Sequence, residues 1–188
     1  HPRHDPTLAT QTEPQRIPWG SLSRDGRWLM LGLTDGWTRN DLWVAHVATW
    51  RKTGTHDKMT VAEGIDARFS PQAVVGDRMV MSTTLDAPNG RLLVVDLEHP
   101  GADHWRPLVP EQPDAVLQGA SYARGVLVMT YEVDASTRLA RITLDGRRFD
   151  PIELPGLGSA GISTNPDSTR AYLSYTSYNE PRTIYECD

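Results

Sequence analysis

A single cysteine, Cys187, is present, so no intrachain disulfide can form. That suits a reducing compartment, and the expectation is a cytoplasmic protein, with a periplasmic one as the alternative. No Asn-x-Ser/Thr glycosylation acceptor occurs. Basic charge is not in excess: 19 Lys and Arg stand against 24 Asp and Glu, a net charge of −5. A nucleic-acid backbone needs a basic stripe to displace its counterions, so no nucleic-acid partner is expected. The two signs are interspersed, leaving neither an acidic tail nor a polybasic patch. Long apolar runs are missing as well. Stretches such as LLVV (92–95) are strand length, far short of the roughly 20 residues a membrane helix needs, so no membrane partner is expected. The opening, HPRHDPTLATQTEP, has neither an initiating Met nor a signal-like apolar region and reads as a chain met in mid-protein. Convincing helical periodicity with caps is absent throughout, which points to an all-β chain.

What is present is a repeat. Four strand-like segments, RWLMLGL, DRMVMST, GVLVMTYE and RAYLSYT, begin at residues 27, 77, 125 and 170, in steps of 50, 48 and 45. Each is followed by a polar loop and a partner strand. The partners, DLWVAHV, RLLVVDL, RLARITL and RTIYEC, begin at 41, 91, 138 and 182, in steps of 50, 47 and 44. Two markers with one step make chance a poor explanation. The segments are short, rich in Val, Leu, Trp, Tyr and Thr, and often alternate. Trp43, Ala45 and Val47 point one way, while Leu42, Val44 and His46 point the other. Asp25-Gly26, Asn89-Gly90 and Asp145-Gly146 supply the positive φ of tight turns. Further strands fill the tails, as in WRPLV (105–109), LQGASYA (117–123) and DPIEL (150–154).

Four strands recurring every 45–50 residues is the pattern of β-propeller blades. A β-sandwich is the alternative, but it has no reason to repeat its strand pairs at a constant step. The expectation is a β-propeller of about four blades of four antiparallel strands. The repeats fall near 17–65, 66–113, 114–158 and 159–188, after a loosely structured segment 1–16 that ends a preceding blade. The 188 residues, 38% of them hydrophobic, suffice for one domain with a real core.

Several groups invite chemical readings. GLGSAG (156–161) contains a Gly-x-Gly-x-x-Gly, but ISTNPDSTR follows it, and Pro166 and the turn formers there exclude the helix a dinucleotide fingerprint requires. Its Ser159 lacks the Gly-x-Ser-x-Gly spacing of a nucleophile elbow. Ser121, in GASYA (119–123), lacks the final glycine. The glycines are better explained by a crossing between blades where backbones approach closely. His1, His4, His46, His99 and His104 show no zinc-like spacing, so neither a metal nor a cofactor is expected. The loop between the paired strands carries an acid in every repeat: Asp35, Asp86, Asp134 and Glu180. In a propeller equivalent loops emerge on one face, so these acids would form a rim that pairs with basic groups of an adjoining domain or attracts a peptide amino terminus. The competing explanation is that Asp favours turns for backbone reasons alone.

In wording, LSRDGRWLMLGLTDGWTRNDLWVAHV (22–47), HWRPLVPE (104–111), LPGLGSAG (154–161) and LSYTSYNEPRTIYECD (173–188) resemble the propeller of the prolyl oligopeptidases, serine peptidases that cleave short peptides after proline. The likeness runs in order from about Ser21 to the end. It implies roughly the last four blades of a seven-bladed propeller, with the earlier blades and the α/β-hydrolase domain as partners outside this chain. It also implies no catalytic residue here and a gating role towards short peptides. By the same resemblance TDGWTRN (34–40) belongs to the substrate-facing surface, where Thr34 and Trp37 would lie nearest bound peptide. Trp37 stands where other members have a smaller residue. A partial ring with open sheet edges also implies self-association. The reading from another class is a free-standing interaction module of propeller type.

Overall fold

The computed structural model describes residues 14–53 and 57–187. The segment expected to end a preceding blade lies, up to residue 13, outside the described residues. Four consecutive sheets form the blades of a partial β-propeller. The first holds β1 (Arg16–Leu22), β2 (Trp28–Asp35), β3 (Arg39–His46) and β4 (Met59–Ala62). β5 (Phe69–Val75), β6 (Arg78–Thr83), β7 (Arg91–Asp96) and β8 (Arg106–Val109) make the second. The third comprises β9 (Val116–Ala123), β10 (Val126–Val133), β11 (Ser136–Thr143) and β12 (Phe149–Ile152). The fourth is β13 (Ser159–Thr164), β14 (Ala171–Thr176) and β15 (Thr183–Cys187). In each sheet the strands lie side by side in chain order. The chain divides into two compact units, residues 1–69 with 96–105, and residues 70–95 with 106–188.

Three of the sheets have four strands, and the fourth has three described strands. One short α-helix, α1 (Val47–Thr53), also follows β3. Seven residues are too few to display a helical period, so the pattern carried no signal. Its ends are nonetheless served: the Ala48 N–H donates to His46 Nδ1 at 3.3 Å, and Arg51 and Lys52 sit in the last turn, against the partial negative charge of the carbonyl end.

In the first unit β2 and β3 are apolar on both faces. Cross-strand register pairs Leu31 with Trp43 and Leu29 with Ala45 on one face, and Met30 with Val44 and Trp28 with His46 on the other. Leu29, Leu31, Trp43, Ala45 and Val47 form one cluster. On the opposite face Trp28, Leu42 and Val44 are fully buried, and the His46 ring stands edge-on to Trp28 at 5.0 Å. Burying such a side chain contributes about 1.5–3 kcal/mol. Phe69, also fully buried, is tied by its backbone to Asn40: its N–H donates to Asn40 Oδ1 at 2.8 Å, and its carbonyl accepts from Asn40 Nδ2 at 2.9 Å.

In the second unit the core joins Val80, Leu92 and Val109 to Leu127, Met129, Tyr131, Ala140 and Ile142. Polar bonds stitch neighbouring sheets beside it. Gln72 on β5 accepts the Ala120 N–H of β9 at 2.7 Å while its amide donates to Ser82 Oγ at 3.0 Å. Thr137 donates its N–H to the Gly158 carbonyl at 2.8 Å, and its Oγ1 accepts the Ala160 N–H at 2.9 Å. Thr164 Oγ1 donates to the Tyr122 carbonyl at 2.8 Å. GLGSAG therefore enters β13 at a crowded crossing. A Cβ on Gly158 would stand 2.4 Å from the Thr176 carbonyl oxygen and 2.9 Å from the Tyr175 ring.

The same turn chemistry occurs twice, as SRDGR (23–27) and TLDGR (143–147). Ser23 Oγ donates to Asp25 at 2.6 Å, Arg27 Nε donates to its other oxygen at 2.8 Å, and Gly26 has φ 70°. Thr143 Oγ1 likewise donates to Asp145 at 2.6 Å, and Gly146 has φ 73°. The Ser23 hydroxyl, then Arg27, pull the Asp25 carboxyl from 3.8 down to about 2. The Thr143 hydroxyl and the Arg147 N–H lower Asp145 in the same direction.

Two outcomes follow from this packing. Gly158→Ala should cost about 1–3 kcal/mol in chemical denaturation, because backbone and a packed ring must both yield. Gly156→Ala, whose Cβ meets only Tyr175 Oη at 3.3 Å, should cost less than 1 kcal/mol, about the scale of a surface change. Asp25 holds its proton less tightly when folded, so its stabilisation is full above the unfolded value, roughly pH 4, and is lost as pH falls through about 2. Thermal midpoints of Asp25→Asn should fall below wild type at neutral pH, and the two curves should converge near pH 2.

Candidate functional site

The β2–β3 connection is a tight turn of residues 36–38, with Gly36 at φ 65°. Here β2 and β3 stay paired to their ends, Thr34 opposite Asn40 and Asp35 opposite Arg39. Thr34 is half-buried within the strand. Trp37 stands on the turn at 93% exposure, a large apolar surface that packing within the chain leaves to solvent.

Beneath this turn lies a charged cluster. Arg39 donates to Asp35 through Nε at 2.8 Å and through Nη2, and this pairing raises its already high pKa. Arg16, opposite Asp35 in the β1–β2 register, donates through Nη2 to Asp41. The buried Asp41 carboxylate also accepts the Gly64 N–H at 2.8 Å. Glu63 accepts from Trp43 Nε1 at 3.1 Å and from Thr60 Oγ1 at 3.4 Å, and Lys58 Nζ sits 3.9 Å from the centre of the Trp43 ring. Arg16, Asp35, Arg39, Asn40, Asp41 and Glu63 line a concavity of about 260 Å³. Arg16 Nε is buried there without a hydrogen-bond partner among the described residues. Such a concavity can hold a polar group by charge and hydrogen bonds. Its lining includes no hydroxyl or thiol side chain.

Of the residues singled out from sequence, the structure brings together Thr34, Asp35 and Trp37. Asp86, Asp134 and Glu180 each lie in the corresponding turn of their own sheet. Asp86 has φ 50°, and Asp134 with Ala135 forms a two-residue turn at φ 48° and 58°. Asp tolerates this left-handed region better than most residues, so the backbone accounts for the residue type at both positions. Glu180 is held by its backbone, whose carbonyl accepts from Thr176 Oγ1 at 3.1 Å and from the Ser177 N–H at 3.2 Å. Ser121 lies inside β9 opposite Val128, and Ser159 opens β13 opposite Thr176. Neither stands on a strand-to-helix elbow. His99 and His104 have ring centres 5.6 Å apart, each beside an Asp, at 3.6 Å from Asp96 and 3.4 Å from Asp103. No group of three or more His, Cys, Asp or Glu suited to a metal occurs among the described residues. Among those residues no helix is long and apolar enough to cross a membrane.

Sequence reasoning missed Arg16, Asn40, Asp41 and Glu63. Asn40-Asp41 reads as a polar start to β3, and its partners lie 25 and 29 residues away. No local pattern announces such pairs.

Residues 2–188 match the family described as the prolyl oligopeptidase N-terminal β-propeller domain. Among individual relatives, the chain is 27% identical over 176 residues to a prolyl endopeptidase of Elizabethkingia meningoseptica, covering 92% of this chain and 24% of that protein. It is 26% identical over 178 residues to a dual-function macrocyclase-peptidase of Galerina marginata, covering 93% and 24%. A chain solved in work on two prolyl endopeptidases superposes with a TM-score of 0.89 at 30% identity, over 98% of this chain and 27% of that one. The chain thus spans about a quarter of the length of the relatives it matches.

The two carboxylates of the cluster should separate in a mutational test. Asp41→Asn removes the charge that Arg16 needs in a buried setting and should cost about 2–4 kcal/mol in urea unfolding. Asp35→Asn loses a more open pair and should cost about 1 kcal/mol or less.

Proposed function

We propose, from the premise that the chain belongs to the prolyl oligopeptidase N-terminal β-propeller family, that it is the non-catalytic propeller portion of a serine peptidase of that kind. In this role it shapes and gates the access of short proline-containing peptides to a hydrolase domain. The supporting observation is the match of nearly the whole chain to a propeller that, in the relatives, accompanies a peptidase domain.

The β2–β3 turn is the part of the surface suited to meet peptide. Trp37 is apolar and exposed, and an indole face of this kind stacks on proline or aromatic side chains. Asp35 and Arg39 already neutralise each other beside it, so the turn offers a neutral shelf over the Arg16–Asp41 concavity. The acids of the equivalent turns, Asp86, Asp134 and Glu180, would meet basic groups of the hydrolase domain. The serine chemistry belongs to that domain.

A blocked Gly-Pro reporter peptide incubated with this chain alone should show no turnover, and robust turnover would overturn the non-catalytic role. In calorimetric titration with a short proline-containing peptide, Trp37→Ala should weaken affinity about fivefold, the equivalent of about 1 kcal/mol of stacking. An unchanged affinity would remove Trp37 from the peptide surface. Neutralising Asp35, Asp86, Asp134 and Glu180 together should weaken docking of a family hydrolase domain, and unaltered docking would dismiss the acidic rim.

A further inference from the structure

His99 and His104 lie in the connection between β7 and β8, and the loop brings their rings together. The ring centres are 5.6 Å apart and the planes are inclined by 46°. The loop is closed by its own backbone. The His99 N–H donates to the Asp96 carbonyl at 3.1 Å and the His104 N–H to the Gly101 carbonyl at 3.0 Å, while the Asp96 carboxylate accepts the Glu98 N–H at 3.1 Å. Between the two histidines Pro100 is buried, and its carbonyl accepts from Trp105 Nε1 at 3.0 Å. The Trp105 ring packs on the fully buried Phe69, centre to centre 5.7 Å. Each imidazole therefore stands on a braced stretch of backbone with its ring largely open to water. A carboxylate lies behind each ring. Asp96 is 3.6 Å from His99 Nδ1, and Asp103 is 3.4 Å from His104 Nε2. A small rotation of either side chain closes these gaps to hydrogen-bond length. The other two nitrogens, His99 Nε2 and His104 Nδ1, are then lone-pair donors to an ion.

We propose that His99 and His104 together bind one divalent transition-metal ion of the zinc or copper class. An imidazole that holds a metal through one nitrogen usually donates the N–H of the other to a carboxylate, which fixes its tautomer and raises its basicity. Asp96 and Asp103 are placed for that task. Two imidazoles on one tetrahedral zinc, with Zn–N of about 2.0–2.1 Å, have ring centres about 5 Å apart. The observed 5.6 Å pair is therefore about half an ångström from that spacing. Neutral nitrogen donors select zinc, nickel and copper over calcium and magnesium, which take oxygen. Because both carboxylates act behind the ligands, the protein donors stop at two, fewer than the three of a larger cluster, and water fills the remaining positions. A bound ion joins the two ends of the loop and so acts as a clip on the β7–β8 connection. The four side chains all belong to this one loop, and the inference is independent of the peptidase reading.

The test is calorimetric titration of Zn²⁺ into the full chain, produced without a histidine tag. His99→Gln and His104→Gln should each weaken binding about 100-fold, because each removes a ligand, and Asp96→Asn and Asp103→Asn about tenfold, because each loosens one. His1→Gln/His4→Gln, which deletes the other close pair of histidines in the sequence, should leave the affinity unchanged. Circular dichroism of every variant should match wild type, since the exchanged side chains are exposed. With Cu²⁺ in place of Zn²⁺, electron paramagnetic resonance should show coupling to two imidazole nitrogens in wild type and to one in either histidine variant. A chain that binds no zinc, affinity that survives His99→Gln/His104→Gln, or affinity lost in His1→Gln/His4→Gln would each overturn the proposal. So would a copper spectrum that the His99 and His104 variants leave unchanged.

Discussion

A sheet that is apolar on both faces is stable only with a covering layer on each, and most of this structure obeys that constraint. Trp28 to Leu31 on β2 and Leu42 to Ala45 on β3 are consecutive buried residues, as are Leu127 to Met129 on β10. Strands written this way cannot rest on water. They commit the chain to stacked layers, and the hydrophobic contribution of those layers exceeds any single polar contact. The last sheet relaxes the rule. In β13 and β14 the inward positions are Ala160, Ile162, Leu173 and Tyr175, and the opposite face is Ser159, Gly161, Ser163, Tyr172 and Ser174. That face is small and mostly polar, and its alternation is the mark of a sheet covered on one side.

Stacked layers create a polar problem at every strand end, and a few side chains solve it. Asn40 matches both backbone groups of Phe69. Gln72 and Thr137 do comparable work between sheets of the second unit, each accepting a backbone N–H from the next sheet. The Arg16–Asp41 pair belongs to the same class, with the Gly64 N–H completing it. A buried ion pair is weak evidence for stability, but removing one partner strands the other. The charged concavity is therefore an architectural device first. Trp37, by contrast, has no structural task in the sheet, and its exposure is the feature of this turn that packing does not account for.

The repeat was legible because it is carried by local chemistry. Short apolar segments at a constant step marked β2, β6, β10 and β14, and Asp25-Gly26 and Asp145-Gly146 marked two turns whose glycines do adopt positive φ. The glycines of GLGSAG were legible as a close crossing, and Gly158 is the one that the Thr176 carbonyl excludes from bearing a side chain. The candidate site was legible only in its turn. Thr34, Asp35 and Trp37 sit in consecutive sequence, whereas Arg16 meets Asp41 across 25 residues. The α1 helix left no trace, since seven residues complete too few turns to show a period.

By itself, then, the sequence determined the strands, their turns and the constant step that makes them blades. Each of those depends on backbone preferences and on a two-residue period, both properties of neighbours in the chain. Only the tertiary structure decided which polar side chains are buried together, as Arg16 with Asp41 and Asn40 with the Phe69 backbone, and which glycine stands against a neighbouring strand. Those outcomes depend on groups far apart in sequence meeting at hydrogen-bond distance, and no local period encodes such meetings.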